Sequence, residues 1–129
     1  MAGKYNVKIL DTHRDMSVSE TIKSKDFSNM IGLDEAVDSD SIIIKPLNYV
    51  GLLVHNDFSE DKEYTKYVIQ TEDEYYVTGS TSFNNAMLQI ISDYEEAGLN
   101  FFEEGVEIKV YKLPSKNYSG KKFLTCSLV

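Results

Sequence analysis

The chain has 129 residues and a mass of 14.7 kDa, which is the size of one domain, or of one domain with an extension, and excludes a multidomain architecture. Its 42% hydrophobic residues, with nine tyrosines and six phenylalanines, exclude a disordered chain, and its single cysteine, Cys126, excludes a scaffold built on internal disulfides. No apolar run approaches the roughly 20 residues that span a bilayer, and no apolar leader follows Met1, so we expect a cytoplasmic protein with no membrane partner.

Charge is distributed unevenly along the chain. The net charge is −8, yet all 21 acidic residues lie at or before Glu107. The segment after Glu107 contains only lysines as charged residues: Lys109, Lys112, Lys116, Lys121 and Lys122. Because salt screens charges beyond about 8–10 Å, an anion near this segment would meet a local positive charge rather than the negative average. The alternative is that a basic segment merely balances an acidic body.

Residues 1–41 are predicted to form an irregular N-terminal extension. Alternation over residues 5–9 predicts a short strand, and Asp26 is placed to cap a short helix over residues 27–31. The acidic stretch 33–40 then reads as a connection.

A β-rich run follows over residues 42–54. Pro46 and Gly51 lie inside it, so we expect a strand that bends or bulges. After a polar turn, alternating side chains predict a second strand over residues 64–71, and residues 75–78 form a short third strand.

The hydrophobic period becomes helical after Gly79. Ser82 is the predicted N-cap of this helix, and Gly98 is placed where the chain leaves it. The apolar stripe that should face the core contains Phe83, Met87, Ile90, Ile91 and Tyr94.

Two more strands are predicted, over residues 106–111 and 123–128, with a break at Leu113-Pro114 and the basic loop 115–122 between them. The order from residue 42 is therefore β-β-β-α-β-β. A bent first strand shared by two sheet halves, with a helix between strands three and four, predicts a mainly β protein with a five-stranded OB-fold barrel over residues 42–129. An open α+β sandwich with the same elements is the alternative.

Most signatures of enzymes are missing. The phosphate-cradling loop and the dinucleotide-binding glycine pattern are absent from the sequence. Cys126 lies on an alternating strand and is predicted to be a small core residue, with His13 and His55 distant from it in sequence. The acidic clusters at residues 57–63 and 72–74 could in principle hold Mg²⁺ or Ca²⁺, but charged residues in turns are normally just solvated. We therefore expect a protein that is not an enzyme, with no cofactor and no metal site.

The remaining chemistry suits single-stranded nucleic acid. Such binding needs cations that follow the phosphates and aromatic faces on which bases stack. Strand alternation puts Lys109 and Tyr111 on one face, and the basic loop 115–122 would form one side of an OB-fold cleft. Each tyrosine taken alone is also explained as a core or rim residue. The predicted binding residues are Lys45, Tyr49, Lys66, Tyr67, Tyr76, Lys109, Tyr111, Lys112, Lys116, Asn117, Tyr118, Lys121 and Lys122.

Two stretches resemble segments of small single-stranded DNA-binding proteins of bacteriophages: YVTGSTSF at residues 76–83 and PSKNYSGKKFLT at residues 114–125. The similarity covers residues 42–128. It implies an OB-fold that coats transient single-stranded DNA during phage replication or recombination, without sequence preference, in the host cytoplasm. Such proteins often end in an acidic tail that recruits replication enzymes, whereas this chain ends at residues 126–129 without one.

The sequence is compatible with three functions. The first is non-enzymatic binding of single-stranded DNA, with RNA as an open alternative and replication or recombination proteins as expected partners. The second is a protein–protein interaction module of a phage or mobile element that does not bind nucleic acid. The third, ranked last, is a metal-dependent enzyme built on clustered carboxylates. The sequence leaves the oligomeric state open, a homo-oligomer included.

Overall fold

The computed structural model of the chain describes residues 5–38, 40–58, 60–116 and 120–129. The strands in these ranges are β1 (Tyr5–Thr12), β2 (Ile31–Gly32), β3 (Ile42–Ile44), β4 (Asn48–Asn56), β5 (Glu63–Gln70), β6 (Tyr75–Thr78), β7 (Ile108–Pro114) and β8 (Lys122–Leu128). The helices there are α1 (Val18–Lys25), α2 (Leu33–Ala36) and α3 (Thr81–Glu96), with a 3-10 helix at Phe27–Asn29.

The strands form two sheets. The larger sheet has five strands in the order β1-β4-β5-β6-β2, and the smaller has three in the order β3-β7-β8. Pro46 lies between β3 and β4, where a proline without an N–H group does not interrupt a hydrogen-bonded ladder. The predicted bend in the run 42–54 is confirmed, since this run contributes one strand to each sheet.

A mainly β fold with a long helix between the third and fourth predicted strands is confirmed. The predicted closure into a five-stranded barrel is not found in the ranges that the structure describes. There, β6 pairs with β5 in antiparallel orientation on one side and with β2 in parallel orientation on the other. Ile31 and Gly32 of β2 therefore occupy the position next to β6 that the last strand would take in a closed barrel.

Parts of the predicted N-terminal extension belong to the larger sheet. β1 pairs with β4 from Tyr5 opposite Asn56 to Thr12 opposite Val50, with a register shift between Ile9 and Asp11. The predicted short strand is therefore confirmed and is longer than expected. The proposed boundary at residue 41 stays a prediction.

Helix α1 was not predicted because its eight residues include only two apolar side chains, too few to mark a buried face. Val18 and Ile22 are 77% and 63% exposed, while Ser24 is buried. Ser17 and Glu20 form a capping box at its start, and the Ser-x-x-Glu signature of that box is visible in the sequence. The short helix α2 likewise replaces part of the expected acidic connection.

Apolar clusters pack on both faces of the larger sheet. On one face, the predicted stripe of α3 packs against the inner side of the smaller sheet, with Phe83, Met87 and Ile91 buried. On the other face, Val50, Leu52 and Val68 pack against side chains that precede β2, namely Met16, Phe27 and Met30. The smaller sheet is therefore fixed to the larger one through α3 and the side chains around it.

The two ends of the long helix differ in how well they were predicted. Ser80, not Ser82, is the N-cap, since its Oγ accepts a hydrogen bond from the Phe83 backbone N at 3.1 Å. The Ser82 hydroxyl instead donates to the Leu124 carbonyl oxygen at 2.7 Å, which ties the helix to β8. Gly98 follows the C-cap with a φ of 79°, so its predicted role is confirmed.

The predicted break at Leu113-Pro114 is wrong. β7 continues through Pro114, which pairs with Lys122 of β8. β3 pairs only with residues 108–110 of β7, so the other edge of β7 is open at Pro114 and a missing N–H group there costs no ladder hydrogen bond.

Glu20 connects α1 to the end of β5. Its carboxylate accepts hydrogen bonds from Gln70 Nε2 at 3.0 Å and from the Ser17 backbone N at 3.1 Å, and it contacts the Arg14 guanidinium. The Gln70 hydrogen bond, followed by the Ser17 hydrogen bond, lowers the pKa of Glu20 from 4.5 to about 2. The folded state therefore favours the ionised carboxylate.

We expect this carboxylate to make the stability of the fold depend on acid. A carboxyl group whose pKa is lowered by folding stabilises the native state above its unfolded pKa, and this contribution is lost as the pH falls. The urea midpoints of the wild type and of Glu20→Gln should therefore differ most near neutral pH and converge between pH 4.5 and about 2. Glu104→Gln, which removes one exposed carboxylate outside this network, is the control. A constant difference between wild type and Glu20→Gln at every pH would contradict the assignment.

Candidate functional site

The outward face of the smaller sheet is set by which side chains its inner face buries. Ile108 and Val110 of β7 and Leu124 and Cys126 of β8 are buried in the core. Because successive side chains of a strand point to opposite faces, the residues between them lie on the outer face. The outward face of the smaller sheet comprises Ile43, Lys109, Tyr111, Leu113, Phe123, Thr125 and Ser127.

A lysine and two aromatic rings are neighbours on this face. Lys109 Nζ lies 5.7 Å from the centroid of the Tyr111 ring, so the predicted placement of this pair on one face is confirmed. Tyr111 lies opposite Thr125, and Leu113 lies opposite Phe123. Tyr111 and Phe123 are therefore diagonal neighbours, a relationship that separates residues by about 7–8 Å in an antiparallel pair.

A groove opens where the outward face meets the tip of the β7–β8 hairpin. We call it the hairpin groove; it has a volume of about 760 Å³ and is lined by Leu113, Pro114, Ser115, Lys116 and Phe123. The Ser115 backbone N donates to the Lys121 carbonyl oxygen at 2.9 Å and closes the base of the hairpin tip. Lys116 and Lys121 are both exposed beside this base.

Lys112 and Lys122 lie in a different environment from Lys109. Lys112 Nζ donates to the Asp34 carbonyl oxygen at 2.8 Å. Both lysines line a small cavity of about 80 Å³ to which Asp38 and Asp40 also contribute. The nearby carboxylates offset part of the positive charge that was expected to attract phosphates.

Two of the predicted tyrosines lie between the larger sheet and α3. Tyr49 is 2% exposed, and its hydroxyl donates to Asn84 Oδ1 at 2.9 Å. Its ring is stacked on that of Tyr67 with 6.1 Å between centroids, and burial raises the pKa of Tyr49. Tyr49 is therefore a core residue whose face is not accessible to a base, which corrects its assignment to the binding surface. Tyr67 is half-buried beside it.

The other candidates on the larger sheet are dispersed. Lys66 lies on the opposite face from Tyr67, with its Nζ 5.8 Å from the centroid of the Tyr64 ring. Lys45 and Tyr76 line a cavity of about 240 Å³ together with the acidic turn 72–74. Burial, and then the Glu74 carboxylate, raises the pKa of Tyr76. The predicted binding residues of the larger sheet therefore lie on separate surfaces.

Two predicted residues, Asn117 and Tyr118, lie outside the described residues, and their roles stay predictions. Phe123, Leu113 and Ile43 also lie on the outward face but were not among the predicted residues. The signal that would have found them is the two-residue period of β3, β7 and β8, which places them on the face of Lys109 and Tyr111.

Comparisons of the chain with protein-family models, with curated proteins and with solved structures find no match in any of the three. None of the helices in the described ranges has both the length and the apolar character needed to cross a membrane. Within the same ranges, no three His, Cys, Asp or Glu side chains converge on a point that could hold a metal ion.

Cys126 is predicted to be chemically inert in the folded protein. It is 6% exposed, in agreement with its expected core position, and burial raises the pKa of its thiol from 9.0 to about 12. Because the thiolate is the reactive form and the side chain is covered, labelling by a disulfide reagent should be at least about tenfold slower in the native protein than in urea. Ser127→Cys in a Cys126→Ser background, which places a thiol on the outward face, should react quickly in both. Equal rates for native and unfolded wild type would contradict the core assignment.

Proposed function

We propose that the chain is a non-enzymatic binder of single-stranded DNA and that the strand lies across the outward face of the smaller sheet. The proposal is supported above all by the Lys109 Nζ that lies 5.7 Å from the Tyr111 ring, with Phe123 as a diagonal neighbour. Bases of every type can stack on an aromatic side chain, so binding through stacking has little preference for nucleotide sequence. A tyrosine suits this role because its ring stacks while its hydroxyl stays in water.

The phosphates would be contacted by lysines around these rings. Lys109, Lys116 and Lys121 are exposed, and no carboxylate follows Glu107 in the sequence. Lys112 and Lys122 are secondary contacts in this proposal because Asp38 and Asp40 lie beside them. The acidic remainder of the chain repels a polyanion and would direct it toward the hairpin.

The strand order supports a finer proposal for the fold. From β3 onward the structure has four strands, α3 and two further strands. If β3 and β4 are counted as one bent strand that contributes to both sheets, as the first strand of an OB-fold does, the order is β-β-β-α-β-β. We infer an OB-related domain over residues 42–129 that departs from the closed barrel where β2 pairs with β6. The resemblance of residues 76–83 and 114–125 to phage proteins supports a role in phage DNA replication or recombination, with proteins of those processes as partners.

A protein–protein interaction module is the second candidate function. It is favoured by the apolar lining of the hairpin groove, where Leu113 and Phe123 are 40% and 36% exposed. Apolar exposure of this kind is typical of protein interfaces. This alternative predicts co-purification with a protein and no salt-dependent binding of oligo-dT.

Truncation of either outward ring should weaken binding of oligo-dT. Base–aromatic stacking contributes about 1–3 kcal/mol per base, so Tyr111→Ala and Phe123→Ala should each raise the dissociation constant about 5- to 150-fold. Fluorescence anisotropy with labelled oligo-dT measures this. Tyr5→Ala removes an exposed tyrosine at the edge of the larger sheet and should leave the constant unchanged. Wild-type affinity in both outward-face variants would remove this face from the site.

The salt dependence of binding should report the number of lysines that contact phosphates. Three contacts predict a log–log slope of about −2 for a single strand, and Lys109→Ala should reduce its magnitude by about 0.7. Lys45→Ala, which removes a lysine beside the acidic turn 72–74, should leave the slope unchanged. Titrations with oligo-rU and duplex DNA at two salt concentrations establish the preferred ligand. A slope near zero would contradict an electrostatic site.

A further inference from the structure

The loop between β4 and β5 presents an exposed aromatic side chain among carboxylates. We call residues 57–63, which include Glu63 at the start of β5, the acidic loop; it contains Phe58, four acidic residues and one lysine. Phe58 is 73% exposed, more than any other aromatic side chain in the described part of the chain. An apolar ring of this size is exposed to water at a cost that a binding partner would remove.

Hydrogen bonds fix the backbone on which Phe58 stands. The Asn56 backbone N donates to the Lys62 carbonyl oxygen at 2.7 Å and closes the base of the acidic loop. The Phe58 backbone N donates to Asn56 Oδ1 at 2.9 Å. His55 Nε2 lies 2.8 Å from Asp57 Oδ1, which holds the preceding residue. These contacts hold the backbone at Asp57 and Phe58, so less conformational entropy is lost when the ring binds.

The hairpin groove complements the acidic loop in shape and in charge. Its volume of about 760 Å³ is ample for a phenyl ring, and its lining is largely apolar, with Leu113, Pro114 and Phe123. Lys116 and Lys121 are exposed at the tip of the same hairpin, whereas Glu60 and Glu63 are exposed on the acidic loop. Opposite charges around a central apolar contact favour encounter and set the orientation of two partners.

We infer that the acidic loop of one copy of the chain docks into the hairpin groove of a second copy, with Phe58 as the central contact. The exposure of Phe58 shows that its own groove does not receive it. Because the loop and the groove are different surfaces, the contact is head-to-tail, and a bound pair keeps one free loop and one free groove to which further copies can bind. The contact area is small and rimmed by charges, so the association is weak and sensitive to salt.

Nucleic acid and the second copy would share Phe123. A strand on the outward face of the smaller sheet would therefore displace the acidic loop from the hairpin groove, and oligo-dT should dissociate the assembly. The self-association itself does not require the chain to bind nucleic acid.

Sedimentation velocity of the full chain over a range of protein concentrations tests the inference. At low ionic strength the weight-average mass should rise with concentration, and in about 1 M salt, where the Debye length is about 3 Å, it should return to that of the monomer. Phe58→Ala and Phe123→Ala should each weaken association about tenfold or more, as removal of a central aromatic contact does. Tyr5→Ala should associate like the wild type.

Mixing the two variants tests the head-to-tail geometry. Phe58→Ala keeps an intact groove and Phe123→Ala keeps an intact loop, so the mixture should form a 1:1 complex that does not grow further. Exposed charges provide a second pair that does not disturb the core: Glu60→Lys and Lys116→Glu should each weaken self-association. Their mixture should restore association, with the two variants alternating, because the swapped charges attract each other and the other loop and groove are unchanged.

The inference is overturned by a wild type that stays monomeric at every concentration, by association that persists in Phe58→Ala and Glu60→Lys, or by mixtures that remain monomeric. Oligo-dT binding at protein concentrations below self-association separates this inference from the proposed function. Phe58→Ala should bind oligo-dT there like the wild type. Self-association that is lost in the loop variants, without oligo-dT binding by any of these proteins, would support the second-copy contact and reject the proposed function.

Discussion

Burial of the inner side of the β7–β8 hairpin against α3 determines what the protein can present to a ligand. Phe83 and Met87 of the helix pack in the same core as Val110 and Leu124, and the Ser82 hydroxyl holds the Leu124 carbonyl oxygen at 2.7 Å. Side chains of a strand alternate strictly, so a slip of one residue would exchange the two faces and expose the core. The same packing that stabilises the smaller sheet therefore fixes which residues it presents outward.

The charge distribution gives this outward face its character. The carboxylates all precede Lys109 in sequence, and the smaller sheet receives only β3 from that acidic part. Its outer face consequently combines a cation with aromatic and aliphatic side chains, a combination that can bind an unpaired polynucleotide or an acidic, aromatic loop of protein. Asp38 and Asp40 lie beside Lys112 and Lys122, so acidic residues limit the basic surface on one side.

Long periodic patterns were predictable from the sequence, and contacts between distant segments were not. The stripe of α3 and the alternation of β7 reveal which faces are buried, and the position of Pro46 reveals the bend between β3 and β4. The pairing of β2 with β6 depends on two residues and has no local signature. For the site, alternation predicted the Lys109–Tyr111 pair, whereas the assignment of Tyr49 failed because the packing of α3 on the larger sheet covers it. Phe123 was missed although the same alternation marks it.

The most direct test of the account is an NMR titration of the labelled chain with oligo-dT at low salt. The account predicts that the amide chemical shifts of residues 109–113 and 121–127 change together in proportion to the bound strand. The amide chemical shifts of buried residues of the larger sheet, such as Leu52 and Val68, should stay unchanged. Shifts that are confined to the larger sheet, or an unchanged spectrum at saturating oligo-dT, would contradict it.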